Sequence, residues 1–135
     1  MAVGTAAIVA ASASCGGSSS TPSAPTSPTP PPSTGTGGNP TTATITIGSN
    51  GTVSPSSVTI APGGRVTFVN NHNQAHDMSS DPHPEHTQCP EINQVGFLTA
   101  GQSRTTGNLN TARTCGFHDH NLPSNTGLQG RILIQ

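Results

Sequence analysis

The chain has 135 residues, of which only 7% are charged, and its formal net charge at pH 7 is −1. This balance excludes the basic surface that binding to nucleic acid requires. Aromatic residues make up 2% of the chain and are all phenylalanine, which excludes platforms for stacking bases. The length predicts one small domain, with valine, isoleucine and leucine supplying most of its core.

The first fifteen residues are typical of a targeting segment. Residues 2–11 are small and apolar, and they are too few to span a bilayer. Small residues precede Cys15, and glycine and serine follow it, which resembles a bacterial lipoprotein cleavage site. The pattern departs from such sites in two ways, because no Lys or Arg precedes the apolar run and Ser12 stands where leucine is usual. We expect a signal peptide over residues 1–15 and a lipid anchor on Cys15, which places the protein in the cell envelope, periplasmic or extracellular. The alternative is a disordered tail with an incidental cysteine.

Residues 16–40 contain almost only glycine, serine, threonine, proline and alanine. Such a stretch has no apolar surface to offset the entropy lost on ordering, and its prolines keep it extended. We expect a disordered linker here, which would hold a domain of residues 41–135 off a membrane.

Short runs of alternating polar and apolar residues begin after residue 41. Threonine and isoleucine in a period of two are typical of half-buried strands, and the Gly/Pro-rich segments between them are typical of turns. No stretch shows a long helical period. Seven or eight short strands predict an all-β sandwich. The predicted strands lie within residues 44–47, 57–60, 66–69, 95–98, 103–106, 111–116 and 131–134.

One thiol and two imidazoles fall within six consecutive positions, at Cys115, His118 and His120. Thiolate and imidazole together select copper or zinc over magnesium or calcium. A third donor must come from elsewhere, and the histidine-containing segment 70–76 is the obvious source. The alternative is that Cys115 forms a disulfide and that the histidines are ordinary surface residues.

Several short motifs follow one another in a recognisable order. They are Pro55-x-x-Val58-Thr59-Ile60, the Gly63 to Asn71 segment, His76, Gly101-Gln102-Ser103, Cys115-x-x-His118 and Gly130-x-Ile132. Over residues 44–135 this order resembles a cupredoxin of the plastocyanin type. The resemblance implies a cupredoxin-like Greek-key β-sandwich that binds copper through His76, Cys115 and His118. It also implies one-electron transfer to a partner protein, with Asn71 beside the copper site.

The loop after His118 departs from the cupredoxin pattern, because it contains no methionine to serve as an axial ligand. Leu128 stands where that methionine is expected. The axial position is then open or is filled by His120, by Met78 or by a backbone carbonyl. A weak or missing axial ligand tunes a copper site without abolishing it.

Cys89 offers Cys115 a disulfide partner. If Cys15 carries lipid, these two cysteines remain as a pair in an oxidising compartment, where pairs normally form disulfides. A bridge removes the thiolate and leaves His118 and His120 to join His76 in an all-imidazole site for Cu(II) or Zn(II). His83 and His86, which precede Cys89 in the same loop, could extend that site. The thiolate ligand remains our first hypothesis, because Cys115 occupies the ligand position that the resemblance implies.

Three classes of function are therefore open: electron transfer, copper binding and storage, and a structural module without metal. An enzyme is not expected. The run from Gly116 to His120 also looks like the Gly-Phe-His-x-His run of copper/zinc superoxide dismutases, but in those enzymes further metal-binding histidines follow, and none follows His120 here. Nothing resembles the oxyanion-hole element that a Cys/His hydrolase needs. We expect a monomer whose membrane contact is limited to the lipid anchor.

Overall fold

A computed structural model describes residues 37–135, which form nine strands and two short 3-10 helices. The 3-10 helices span Ile92–Gln94 and Thr126–Leu128. The strands are β1 (Thr42–Ile47), β2 (Val53–Ser54), β3 (Ser57–Ile60), β4 (Arg65–Asn70), β5 (His76–Ser80), β6 (Gly96–Leu98), β7 (Ser103–Thr105), β8 (Arg113–Asp119) and β9 (Gly130–Ile134).

The strands form two sheets. One sheet has the order β2-β1-β4-β7, and the other has the order β3-β9-β8-β5-β6. The β1–β4 and β3–β9 pairs are parallel, and the other pairs are antiparallel. The chain changes sheet after β2, β3, β4, β6 and β7. The predicted all-β sandwich is confirmed, with more strands than the seven or eight expected.

The core lies between the sheets and is built by the alternation that the sequence showed. Ile45 and Ile47 of β1 are buried, and so are the alternate apolar residues of β4 and β9. Phe68 of one sheet and Phe117 of the other meet edge to face, with ring centroids 5.1 Å apart. Aromatic rings prefer this geometry, and the contact stabilises the packing of the two sheets.

The pairing of β5 with β8 decides which face of the sheet each polar residue occupies. Met78 lies opposite Asp119, and Ser79 lies opposite His118. Side chains alternate between faces along a strand, so Met78 and Asp119 share one face while His118 lies on the other. Met78 is fully buried in the core, and His76, two residues before it, shares its face.

The expected signal peptide with Cys15 lies outside the described residues, and so does most of the expected linker, residues 16–40. The first strand begins at Thr42, close to the expected start of the domain. Within residues 37–135 there is no helix long and apolar enough to cross a membrane.

Candidate metal centre

Cys115 forms a disulfide with Cys89. The two Cα atoms are 5.8 Å apart, within the usual range for a disulfide, and both residues are fully buried. A sulfur bonded to sulfur is not the thiolate that a copper ion binds. The expectation that Cys115 is a copper ligand is therefore corrected, and the bridge that we held as the alternative is what the structure contains.

His76 and His118 do not converge, which corrects the second part of the expected ligand set. They lie on opposite faces of the five-stranded sheet, since His118 is opposite Ser79 and His76 shares the face of Met78. His76 instead places its Nδ1 2.7 Å from the carboxylate of Asp119.

The structure brings His118 together with the histidines of the loop that follows β5. One ligand nitrogen each from His83, His86 and His118 lies within 4.8 Å of the other two. His120 adjoins them, with its Nδ1 3.2 Å from Nε2 of His86. We call these four residues the histidine cluster. His118 and His120 were expected as ligands, whereas His83 and His86 were expected only as an extension of the site.

His118 is held in the orientation of a metal ligand. Its side chain is only 3% exposed, and its Nδ1 lies 2.6 Å from Oδ1 of Asp81. A carboxylate at Nδ1 fixes the proton there and leaves the lone pair on Nε2. That Nε2 is buried without a hydrogen-bond partner among the described residues. A buried unpaired nitrogen costs free energy, whereas a metal-binding histidine almost always pairs its other nitrogen with a carboxylate or carbonyl.

Gly116 makes room for the Asp81 carboxylate. A Cβ at position 116 would overlap the carboxylate of Asp81. The two backbones are also linked, since the Asp81 N–H donates to the Gly116 carbonyl at 3.1 Å. The Gly116 N–H donates to the side chain of Gln88 at 2.8 Å. Gly116, within the Cys-x-x-His motif, therefore leaves the space in which Asp81 reaches His118. The sequence did not reveal this role of Gly116, although the Asp-Pro-His segment that begins at Asp81 places a carboxylate beside the histidines of the loop.

The loop that carries His83 and His86 is fixed at several points. The His86 N–H donates to the Pro82 carbonyl at 2.7 Å, and the side chain of Asn93 donates to the His86 carbonyl at 2.9 Å. His86 has a φ of 52°, in the left-handed region that non-glycine residues rarely adopt. Such conformations cluster at ligand sites, where the surroundings hold them. The disulfide at Cys89 anchors the end of the loop to β8.

Burial lowers the pKa of His86, and the neighbouring His118, His120 and His83 lower it further, while Asp77 opposes them. A lowered pKa keeps the imidazole neutral at pH 7. The neutral form is the one that binds a metal, because the proton and the metal compete for the same lone pair.

No protein-family model matches the sequence, and no curated protein matches it. Solved structures do match. A purple cupredoxin from Nitrosopumilus maritimus superposes with a TM-score of 0.55 and 18% identity over 69% of this chain and 99% of that chain. Plastocyanin from the fern Dryopteris crassirhizoma gives 0.53 and 18% over 68% and 99%. An amicyanin variant in its Cu(I) form gives 0.55 and 12% over 70% and 82%.

These likenesses establish the fold. The chain has the cupredoxin fold, as the order of its sequence motifs indicated. They do not place the histidine cluster, which is defined by the side chains of this chain alone.

Proposed function

We propose that this protein binds one copper ion in an all-histidine site formed by His83, His86 and His118, with His120 as the fourth donor. The observation that carries the proposal is the buried, unpaired Nε2 of His118, whose Nδ1 is fixed by a carboxylate. Imidazole suits copper and zinc, and the usual order of affinities places Cu(II) above Zn(II). Zn(II) is therefore the competitor that the site would accept at a lower affinity.

The donor set favours copper storage or copper transfer over fast electron transfer. Both cysteines of residues 37–135 are bridged, so no thiolate from this region reaches the metal. Nitrogen ligands alone favour the tetragonal geometry of Cu(II) and do not balance Cu(I) against Cu(II). We infer that the protein stores copper or passes it to another molecule. Electron transfer is the second candidate. The cupredoxin fold supports it, since neighbours of that fold were solved in both oxidation states, the fern plastocyanin in its oxidised form and the amicyanin variant in its Cu(I) form.

The burial of the four donors suggests a direction for copper exchange. His118 is buried, His86 and His120 are partly buried, and His83 is exposed. Copper held first by His83 would pass inward to His118, and it would leave in the reverse order. Asp81 keeps the innermost ligand ready, because the orientation of His118 does not depend on the metal.

The test is a Cu(II) titration of the protein with its disulfide intact. We expect one equivalent to bind at the cluster, with the nitrogen hyperfine pattern of several imidazoles in the electron paramagnetic resonance spectrum. No intense thiolate band at about 600 nm should appear, because no thiolate is bound. His118→Gln should weaken binding by about 100-fold or more, equivalent to about 2.7 kcal/mol.

Thr87→Ala is the matched control, because it changes an exposed residue of the same loop and should leave the affinity unchanged. Unaltered Cu(II) binding in His118→Gln, or an absorption band that disappears in Cys115→Ser, would contradict the all-histidine site.

A further inference from the structure

A second pair of histidines lies on the other face of the sheet. Nδ1 of His72 is 2.9 Å from Nε2 of His76, and the ring centroids are 5.1 Å apart. The distance between the ring centroids exceeds the distance between the two nitrogens by nearly twice the radius of an imidazole ring, as expected when both nitrogens lie on the line that joins the centroids. The ring planes differ by only 28°. The two rings therefore meet nearly end to end, with the two nitrogens on one line.

His76 is the fixed member of this pair. It is 2% exposed, and its Nδ1 is 2.7 Å from Oδ2 of Asp119. The other oxygen of Asp119 accepts the backbone N–H groups of Asn121 at 2.9 Å and of Asp77 at 3.3 Å. The carboxylate is thus held by three donors and keeps the His76 proton on Nδ1, which leaves the Nε2 lone pair facing His72. His118 and Asp81 show the same carboxylate–imidazole arrangement on the other face of the sheet.

His72 is the adjustable member. Its side chain is partly exposed, and its neighbours at positions 71 and 73–75 are exposed. Its ring lies over Gly51, where a Cβ would stand 3.2 Å from the ring. Its backbone N–H donates to the side chain of Asn70 at 2.9 Å, which fixes the start of the loop. The ring can move outward without disturbing the core.

We propose that the His72–His76 pair binds one monovalent Cu(I) ion, independently of the histidine cluster. A metal on the line between the nitrogens has the linear two-coordinate geometry that d10 Cu(I) and Ag(I) ions adopt. Two metal–nitrogen bonds of about 2 Å each need a nitrogen–nitrogen distance of about 4 Å. The observed distance is 2.9 Å, so His72 must move outward by about 1 Å.

The proton and charge balance favours a monovalent ion. On binding, the proton that Nδ1 of His72 donates to His76 moves to Nε2 of the same ring, so no proton is lost and no oxidant is needed. The site gains one positive charge, which the Asp119 carboxylate neutralises. A divalent ion would leave one positive charge uncompensated beside a buried imidazole, which is unfavourable because a buried charge without a partner is poorly solvated.

The test uses Ag(I), which mimics Cu(I) without the reductant that would cleave the disulfide. The 15N-labelled protein is first loaded with one equivalent of Zn(II), which occupies the histidine cluster, and is then titrated with silver nitrate. We expect one equivalent of Ag(I) to shift the ring nitrogens of His72 and His76 while those of His118 stay unchanged. His72→Gln keeps an N–H donor for His76 but removes the second imidazole, and it should weaken Ag(I) binding by about tenfold or more, equivalent to about 1.4 kcal/mol.

Asn73→Gln, at an exposed neighbour in the same loop, is the control that should bind Ag(I) like the unaltered protein. The proposal is overturned if His72→Gln binds Ag(I) as tightly as the unaltered protein, or if only ring nitrogens of the histidine cluster shift. If the histidine cluster does not bind metal, the first step of the experiment shows this separately, because the ring nitrogens of His118 would then not respond to Zn(II).

Discussion

Gly116→Ala should weaken copper binding although Gly116 is not itself a ligand. The new methyl group would occupy the space of the Asp81 carboxylate. Asp81 is 45% exposed, so it can turn into solvent, and the 2.6 Å contact with Nδ1 of His118 is lost. Loss of such a supporting carboxylate typically lowers metal affinity by about 10- to 100-fold, which is equivalent to about 1.4–2.7 kcal/mol.

The assay is competition between the protein and a chelator of known Cu(II) affinity, measured for the unaltered protein, Gly116→Ala, Asp81→Asn and the double variant. Both single changes act on the same contact, so their free-energy costs should not add, and the double variant should resemble the weaker binder of the two. Unfolding in urea checks that the apo variants remain folded. A folded Gly116→Ala protein with unaltered affinity, or fully additive costs, would refute the role given to Asp81.

The other predictions concern the disulfide, the pH dependence and the anchor. Replacing Cys89 and Cys115 by alanine should lower the free energy of unfolding by about 3.5 kcal/mol, because the 26-residue separation sets the chain entropy that the bridge removes; an unchanged urea midpoint would contradict this. The lowered pKa of His86 means that the unfolded chain takes up its proton first, so apo stability should hold above the ordinary pKa of 6.5 and fall as the pH drops below it. His86→Gln should reduce that fall, and an equally steep profile in urea unfolding would argue against the assignment. Globomycin should block processing at Cys15, whereas a mature protein that retains Met1 would exclude the lipid anchor.

The strands could largely be predicted because the two-residue alternation records which side chains enter the core. Ile45 and Ile47 follow that pattern, and both are fully buried. β5 escaped prediction because its sequence, His76 to Ser80, is polar apart from Met78. The strand is buried because it pairs with β6 on one side and with β8 on the other. Hydrophobic periodicity in the sequence does not record such pairing.

The grouping of the site residues could not be predicted, because a shift of one residue along a strand moves a side chain to the other face. His118 and Asp119 are adjacent in sequence, yet His118 joins the histidine cluster while Asp119 meets His76. The spacing of cysteine and histidine along the sequence indicated which residues could bind a metal. It did not give the register of β8 against β5, which decides the face of the sheet on which each residue lies. The choice between a thiolate and a bridge at Cys115 also depended on its distance from Cys89, which only the fold determines.

X-ray absorption at the copper edge, on the disulfide-intact protein loaded with one equivalent of Cu(II), tests the all-histidine site most directly. We predict a shell of three or four imidazole nitrogens at about 2 Å, with no sulfur at about 2.3 Å. In His118→Gln the imidazole scattering should decrease or the copper should not bind. A sulfur neighbour, or fewer than three imidazoles in the unaltered protein, would contradict the site formed by His83, His86, His118 and His120.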